Sequence, residues 1–233
     1  MGLARGGWNV LVMDRDEAGS ETLSTHGLWP NTLARLDDLG ALERMRSEHE
    51  LNEFEHRFRV FDTELIGDWN EIGGHTKGIA PRRSVLDSAL IELAAEAGAD
   101  VRFGQKVTGL LGSGGEGDPV RGVRTSEGEE IEAPWVIGAD GRASTVASSL
   151  GLPKRDEQRG EMAMLFAYWR GLPPSPYMNM HAERHGVLTW GTCEDDIQLV
   201  IFNCPPEAAR GGVEARTAAY LDGIGRFSAT LDP

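Results

Sequence analysis

A carboxylate set between glycines marks where chemistry is most legible on this chain. The segment Ala133-Pro134-Trp135-Val136-Ile137-Gly138-Ala139-Asp140-Gly141-Arg142-Ala143-Ser144-Thr145-Val146 is an apolar run that breaks at G-A-D-G and then reads as a helix start. Strand-to-helix turns of that kind are where α/β folds hold cofactors. Gly138 and Gly141 let the backbone turn tightly and come close to a ligand, and the Asp140 carboxylate can accept hydrogen bonds from hydroxyls.

Other residues suit the same chemistry, each beside a plainer reading. Asp14 ends the apolar run Trp8 to Asp14, where a carboxylate can take both hydroxyls of a ribose; it reads equally as a helix cap or a surface acid. Arg15 can reach a pyrophosphate or stand exposed. Ser24-Thr25-His26 precede a helix and cap its free N–H groups, or face an anion there, with His26 tuning the pH response. Arg82 and Arg83 sit at a helix start, a poor place for cations without an anionic partner, and Asp87 in the first turn competes for that role. Trp169, Tyr177, Trp190 and Phe202 line a pocket or fill a core. His181, Glu183, Arg184 and His185 read as a polar hairpin tip, not a metal site. Cys193 and Cys204, with no ligand spacing around them, read as buried free thiols.

The elements that must position these groups alternate in type. Met1 to Gly7 reads as a last helical turn with a glycine stop, and Trp8 to Asp14 as a buried parallel strand. Leu28 to Met45 is helical, with Pro30 in its first turn and a division at Gly40. His56 to Phe61 alternates as a strand, and a Gly- and Asp-rich loop leads through Gly73-Gly74 to Ile79-Ala80. Val85 to Ala97 is the clearest helix, with Leu86, Leu90, Leu93, Ala94 and Ala97 on one face and Gly98 as its stop. Val101 to Phe103, Lys106 to Leu111 and Val120 to Thr125 are strands, the last two joined by the glycine-rich loop 112–117. Beyond G-A-D-G, four β-like runs (Met162 to Arg170, Tyr177 to Ala182, Val187 to Thr192, Ile197 to Asn203) predict an antiparallel sheet, and Glu207 to Ile224 a helix.

Composition narrows the partners. The 233 residues carry 23 Lys and Arg against 37 Asp and Glu, a formal net charge of −14. No basic stripe is available for phosphate backbones, so nucleic acid is excluded as a partner. No apolar run is long enough to cross a bilayer, and a cytoplasmic protein handling a small molecule is the expectation.

Taken in order, V-L-V-M-D-R at Val10 to Arg15, S-T-H at Ser24 to His26, R-x-x-L-D at Arg83 to Asp87 and G-A-D-G-R-x-S at Gly138 to Ser144 resemble the FAD-dependent monooxygenases and oxidoreductases built like para-hydroxybenzoate hydroxylase, with their geranylgeranyl-reductase-like relatives. The resemblance implies an α/β chain: an incomplete Rossmann-like FAD-binding domain over residues 1–155, with a strand-loop excursion near 52–80 toward the substrate domain. An antiparallel β-sheet substrate domain, α+β in character, would cover 156–233. It implies FAD as cofactor and NAD(P)H as electron donor. Asp14 would bind ribose, Arg15 would neighbour the adenosine diphosphate, and Thr25 and His26 would face the cofactor. Arg83 would meet the flavin phosphate or ribityl region, Val107 the adenine through its backbone, and Asp140 with Gly141 the phosphate region. Members of the group carry a G-x-G-x-x-G turn ahead of Asp14 and a later G-D segment. The chain is read as starting past the first and ending before the second, and such a truncated chain is expected to bind FAD weakly or not at all. A flavoenzyme acting on a small apolar or aromatic substrate is the leading reading; a non-catalytic ligand-binding or assembly module and a nicotinamide-only dehydrogenase are the alternatives.

Overall fold

The computed structural model describes residues 1–20, 27–158 and 160–227. In chain order they form α1 (Gly2–Arg5), β1 (Leu11–Met13), α2 (Pro30–Leu39), α3 (Ala41–Glu48), β2 (Glu53–Val60), β3 (Thr63–Gly67), β4 (Gly78–Ile79), α4 (Arg83–Glu96), β5 (Asp100–Arg102), β6 (Val107–Leu111), β7 (Gly122–Thr125), β8 (Glu130–Glu132), α5 (Thr145–Ser149), β9 (Ala163–Trp169), β10 (Tyr177–Glu183), β11 (Gly186–Thr192), β12 (Gln198–Cys204) and α6 (Val213–Gly225). The fold is mixed α/β, with both parallel and antiparallel strand pairs. It divides into two compact units, Met1–Ser20 with Leu90–Gln158 and Glu21–Ala89 with Arg159–Pro233.

In the first unit β1 lies parallel to β5, with Leu11 opposite Asp100 and Met13 opposite Arg102. The apolar run of β1 was expected to be buried, yet Val12 is exposed and Leu11 and Met13 are half-buried. β1 has β5 as its only strand neighbour among the described residues, so one of its edges has no strand beside it. β6, β7 and β8 form an antiparallel meander. β8 carries one apolar residue between two glutamates, so hydrophobicity does not announce it; the Gly128 turn, at φ 86°, folds it back onto β7. The strand expected over Ala133 to Gly138 does not form, and Trp135 and Ile137 are 77% and 73% exposed. Apolar composition makes a strand only where a neighbour offers its backbone; the Ala133 amide still donates to the Arg121 carbonyl at 2.9 Å, but no ladder continues from there through Gly138 among the described residues.

The second unit holds a sheet ordered β3-β2-β10-β11-β12-β9, with β4 paired to β2. The sheet is not wholly antiparallel, because β2 joins β10 in parallel, Tyr177 opposite Glu55 and Ala182 opposite Val60. These strands are far apart in the chain, and a crossover, unlike a hairpin, permits that direction. The period of two splits β12 cleanly: Val200, Phe202 and Cys204 pack with Leu188, Tyr220 and Phe227, while Leu199 and Ile201 belong to a second cluster with Cys193 and Ile197. Tyr220 carries α6 onto the sheet, donating from Oη to the Val200 carbonyl at 3.0 Å and accepting from Trp169 Nε1 at 2.8 Å. Gly223 makes the close approach possible, since a Cβ there would lie 2.3 Å from the Phe202 ring. Trp169, Trp190 and Phe202 therefore belong to the core around α6, and Tyr177 lies under the Arg57 guanidinium. Both cysteines are free and buried.

Several boundaries shift for identifiable reasons. α2 and α3 divide at Gly40, whose φ of 77° is left-handed, and Pro30 opens α2, as the sequence indicates. α6 begins at Val213 and not near Glu207, because Gly211, at φ 106°, and Gly212 interrupt the run. α4 buries Val85, Ala89, Leu93 and Ala94, whereas Leu86 and Leu90 are half-buried; apolar residues nearly all round the helix left its face underdetermined. β3 escapes detection because all five of its residues are exposed and no alternation marks them. Nor is His181 part of a polar tip. It is 3% exposed, packs on Phe227, and binds Glu183 through Nε2 at 3.0 Å, leaving Arg184 and His185 as the turn.

Candidate functional site

The first unit carries the carboxylates singled out in the sequence. Asp140 lies in an irregular segment ahead of the five-residue α5. Its Oδ1 accepts from Ser144 Oγ at 2.5 Å, and its Oδ2 accepts from the Thr145 and Val146 amides at 2.6 and 3.2 Å. Ser144 Oγ in turn accepts from Ala147 N at 3.0 Å. The Ser144 hydroxyl, helped by these amides, holds the Asp140 carboxyl below its ordinary pKa. Both oxygens are thus committed to the start of α5, and the glycines serve that geometry: a Cβ on Gly138 would lie 2.9 Å from Val146, and Gly141 takes φ 78°.

Asp14 follows β1 directly and is exposed. Its amide donates to the Arg102 carbonyl at 3.0 Å, its carbonyl accepts from Gln105 N at 2.8 Å, and its Oδ1 accepts from Asp16 N at 3.0 Å. Arg15 is exposed and sits 3.6 Å from Asp16. Val107 opens β6, the edge strand of the meander, where a register shift separates it from Gly109.

The two arginines at the start of α4 each have a partner in the second unit. Arg83 makes a bidentate pair with Asp87, Nη2 at 2.7 Å and Nε at 2.9 Å. Arg82 binds Glu194, a carboxylate with no exposed surface, through its guanidinium and through its backbone amide at 2.9 Å. The local competitor seen in the sequence is real; the long-range one has no local signal. Thr25 and His26 lie outside the described residues.

A constellation that the sequence reading missed lies on β2. Phe54, His56 and Phe58 alternate onto one face, and Trp29 and Trp69 close around them. His56 stacks on Phe58 at 5.2 Å between centroids and meets Trp29 at 4.8 Å, Trp69 edge-on at 5.0 Å and Phe54 edge-on at 5.5 Å. It is 8% exposed, and its Nε2 is buried without a hydrogen-bond partner. Burial pushes the imidazole below its ordinary pKa, so it stands neutral at pH 7. A pocket of about 230 Å³ opens beside it, bounded by Phe58, Leu65, Ile66, Gly67, Asp68 and Trp69. The F-x-H-x-F alternation was the available signal; a strand begun at His56 cuts it in half.

This fold is that of the FAD-binding monooxygenases. It matches PqsL of Pseudomonas aeruginosa, solved in complex with 2-aminobenzoylacetate, with a TM-score of 0.76 at 16% identity, over 95% of this chain and 66% of that one. Residues 1–210 match the FAD binding domain family, and the chain belongs to it. Among curated relatives, it is 33% identical over 160 residues to 6-methylpretetramide 4-monooxygenase of Streptomyces rimosus, covering 65% of this chain and 37% of that protein. It is 41% identical over 85 residues to digeranylgeranylglycerophospholipid reductase of Methanosarcina acetivorans, 35% of this chain and 20% of that protein. The chain thus spans little more than a third of the length of the first of these relatives.

Proposed function

We propose that the protein is an NAD(P)H-dependent monooxygenase of this family acting on a small apolar or aromatic molecule. The observation that carries the reading is the aromatic pocket beside His56. A cavity of roughly 150 Å³ suffices for benzene, so about 230 Å³ accommodates a substituted ring. The first curated relative is named for oxygenation, and PqsL was solved with a small aromatic ligand.

The residues fit FAD unevenly. Asp14 offers an exposed carboxylate with one oxygen engaged by Asp16, which suits a ribose hydroxyl, and Arg15 stands exposed beside it. Val107, on an edge strand, suits adenine through its backbone. The phosphate end fits less well: Asp87 closes the Arg83 guanidinium, and α5 takes both Asp140 oxygens. Asp140 and Gly141 then support the cofactor by shaping the turn, and Thr25 and His26 are proposed to face it. FAD, when bound, supplies the redox chemistry; this chain's residues bind, orient and exclude water.

That uneven fit favours a second reading, a ligand-binding module that has kept the pocket without the flavin. Titration of FAD onto the protein, followed by quenching of flavin fluorescence, separates the two. Saturable binding weakened about tenfold by Asp14→Ala, the scale of a lost hydrogen bond to a charged group, supports the flavoenzyme. No binding at millimolar FAD leaves the module.

A further inference from the structure

The large sheet of the second unit ends in a strand with an open side. β3 has β2 beside it on one edge and, among the described residues, no strand on the other, and all five of its residues are exposed, Leu65 to 66%. The strand at the far edge, β9, is half-buried over all but one of its residues. Open edges usually carry a device that blocks further pairing: a lysine, a proline, a bulge or a charge turned inward. β8, at the edge of the meander, has two glutamates around its one apolar residue. β3, Thr63-Glu64-Leu65-Ile66-Gly67, has no proline, lysine or bulge, its register against β2 runs unbroken, and its one charge, Glu64, is tied to Arg57 at 2.9 Å.

The backbone groups on that open side can be counted. The Phe61 amide donates to the Ala182 carbonyl of β10, so the odd-numbered residues of β2 turn their backbone to β10 and the even-numbered ones to β3. His56, Phe58 and Val60 stand opposite Gly67, Leu65 and Thr63, which therefore use their backbone inward, and Glu64 and Ile66 aim theirs outward. Each contributes one N–H and one C=O to the open edge. A second copy running antiparallel, with Leu65 opposite Leu65, meets all of them: Glu64 of either copy faces Ile66 of the other in a hydrogen-bonded pair, and no group is left over. The same register sets the two Leu65 side chains against each other on the face that Phe58 shares. Leu65 borders the pocket beside His56, so the second copy adds a wall to it.

We infer that two copies of this chain pair through β3, which extends the sheet from one copy into the next across a twofold axis. The pairing does not depend on FAD. Five residues cover only about 17 Å of edge, and two such strips bury well under the roughly 1,200 Å² of a stable complex. Charge opposes the contact as well: each copy carries a formal net charge of −14, and the register brings Asp62 near Asp68 of the second copy. The dimer is therefore weak, and salt strengthens it by screening the repulsion between the copies.

Sedimentation velocity of the full chain tests this. For so small an interface we expect mostly monomer at about 10 µM and mostly dimer at about 500 µM, with association tightening several-fold between about 0.1 and 0.5 M salt. Ile66→Pro removes one outward N–H at an edge position where proline is tolerated, and should weaken association about tenfold or more while the bonds to β2 remain. Cysteine substitutions read the register. Under a mild oxidant Leu65→Cys should cross-link to its own counterpart, whereas Thr63→Cys, opposite Gly67 of the second copy and about 14 Å from its counterpart, should not, since that lies beyond disulfide reach. Cys193 and Cys204 are buried and do not compete. A chain that stays monomeric at about 500 µM leaves the edge to some other strand and overturns the inference. So does association that weakens with salt, a dimer unchanged by Ile66→Pro, or cross-linking of Thr63→Cys as strong as that of Leu65→Cys. Should Ile66→Pro fail to fold, the unmodified protein and the two cysteine variants, both at exposed positions, decide.

Discussion

The turn at Asp140 and the box around His56 are opposites in the way they treat a polar group. Asp140 is exposed, yet both of its oxygens are occupied by the hydroxyl and amides that begin α5. His56 is buried, yet its Nε2 has no partner. A polar group whose valences are filled by its own chain is built into the architecture, and removing it costs stability. A buried one left without a partner is a cost that the packing around it must offset, and here that packing is the aromatic cluster. Sequence motifs report the first kind well, because local partners sit at fixed spacings. They report the second poorly, because openness is a property of the assembled surroundings.

If filled valence marks architecture, the effect must scale with burial, and the Arg82–Glu194 pair is where it should be largest. Glu194 has no exposed surface and accepts from both the Arg82 amide and its guanidinium. Arg82→Ala leaves that carboxylate buried with the amide but no cation, a loss of about 3 kcal/mol. Urea unfolding measures it, and the double variant Arg82→Met/Glu194→Leu should recover most of the loss, since the uncompensated charge is then gone. A loss under about 1 kcal/mol for Arg82→Ala, the level of a surface pair, would break the comparison.

The same distinction explains what was legible. Gly40 divides two helices because a left-handed residue ends one and starts the next, and Pro30 opens α2; both are local devices. Strands β9 to β12 were legible because each is a short run of strand-forming residues bounded by turns, and β12 has buried partners on both of its faces. The run at Trp135 to Ile137 misled because strand formation depends on a neighbour, which composition does not contain. β3, fully exposed, had no pattern to read. At the site, the Arg83–Asp87 pair followed from helical spacing, but Glu194 as the partner of Arg82, 112 residues away, did not. His56 and Phe58 fell in a strand read from its alternation; Phe54 and the closure by Trp29 and Trp69 did not.

A smaller effect tests the exposed side of the comparison. Asp140→Ala removes the acceptor for two amides and the Ser144 hydroxyl at the start of α5, which should destabilise by about 1 kcal/mol. The folded-state pKa is depressed, so this contribution is fully present above the ordinary carboxylate range and is lost as pH falls through the folded value. The stability difference between the protein and Asp140→Ala, constant from pH 7 to about 5, should therefore shrink below about pH 4. A difference that grows toward acid would show that Asp140 is not a filled acceptor.

The smallest stability effect separates architecture from recognition at a single residue. Arg83 and Asp87 pair across one helical turn with about a third of each side chain exposed, so Asp87→Ala should cost only about 0.5 kcal/mol. The same substitution frees the Arg83 guanidinium, which the family resemblance directs at the flavin phosphate or ribityl region. If Arg83 serves recognition and Asp87 competes with the cofactor for it, Asp87→Ala tightens FAD several-fold in the fluorescence titration while barely moving the urea midpoint. If the pair is architecture alone, FAD affinity stays where it was or falls with stability. The two outcomes differ in sign, so Arg83 can be assigned to one side of the comparison even though the structural change is a single released salt bridge.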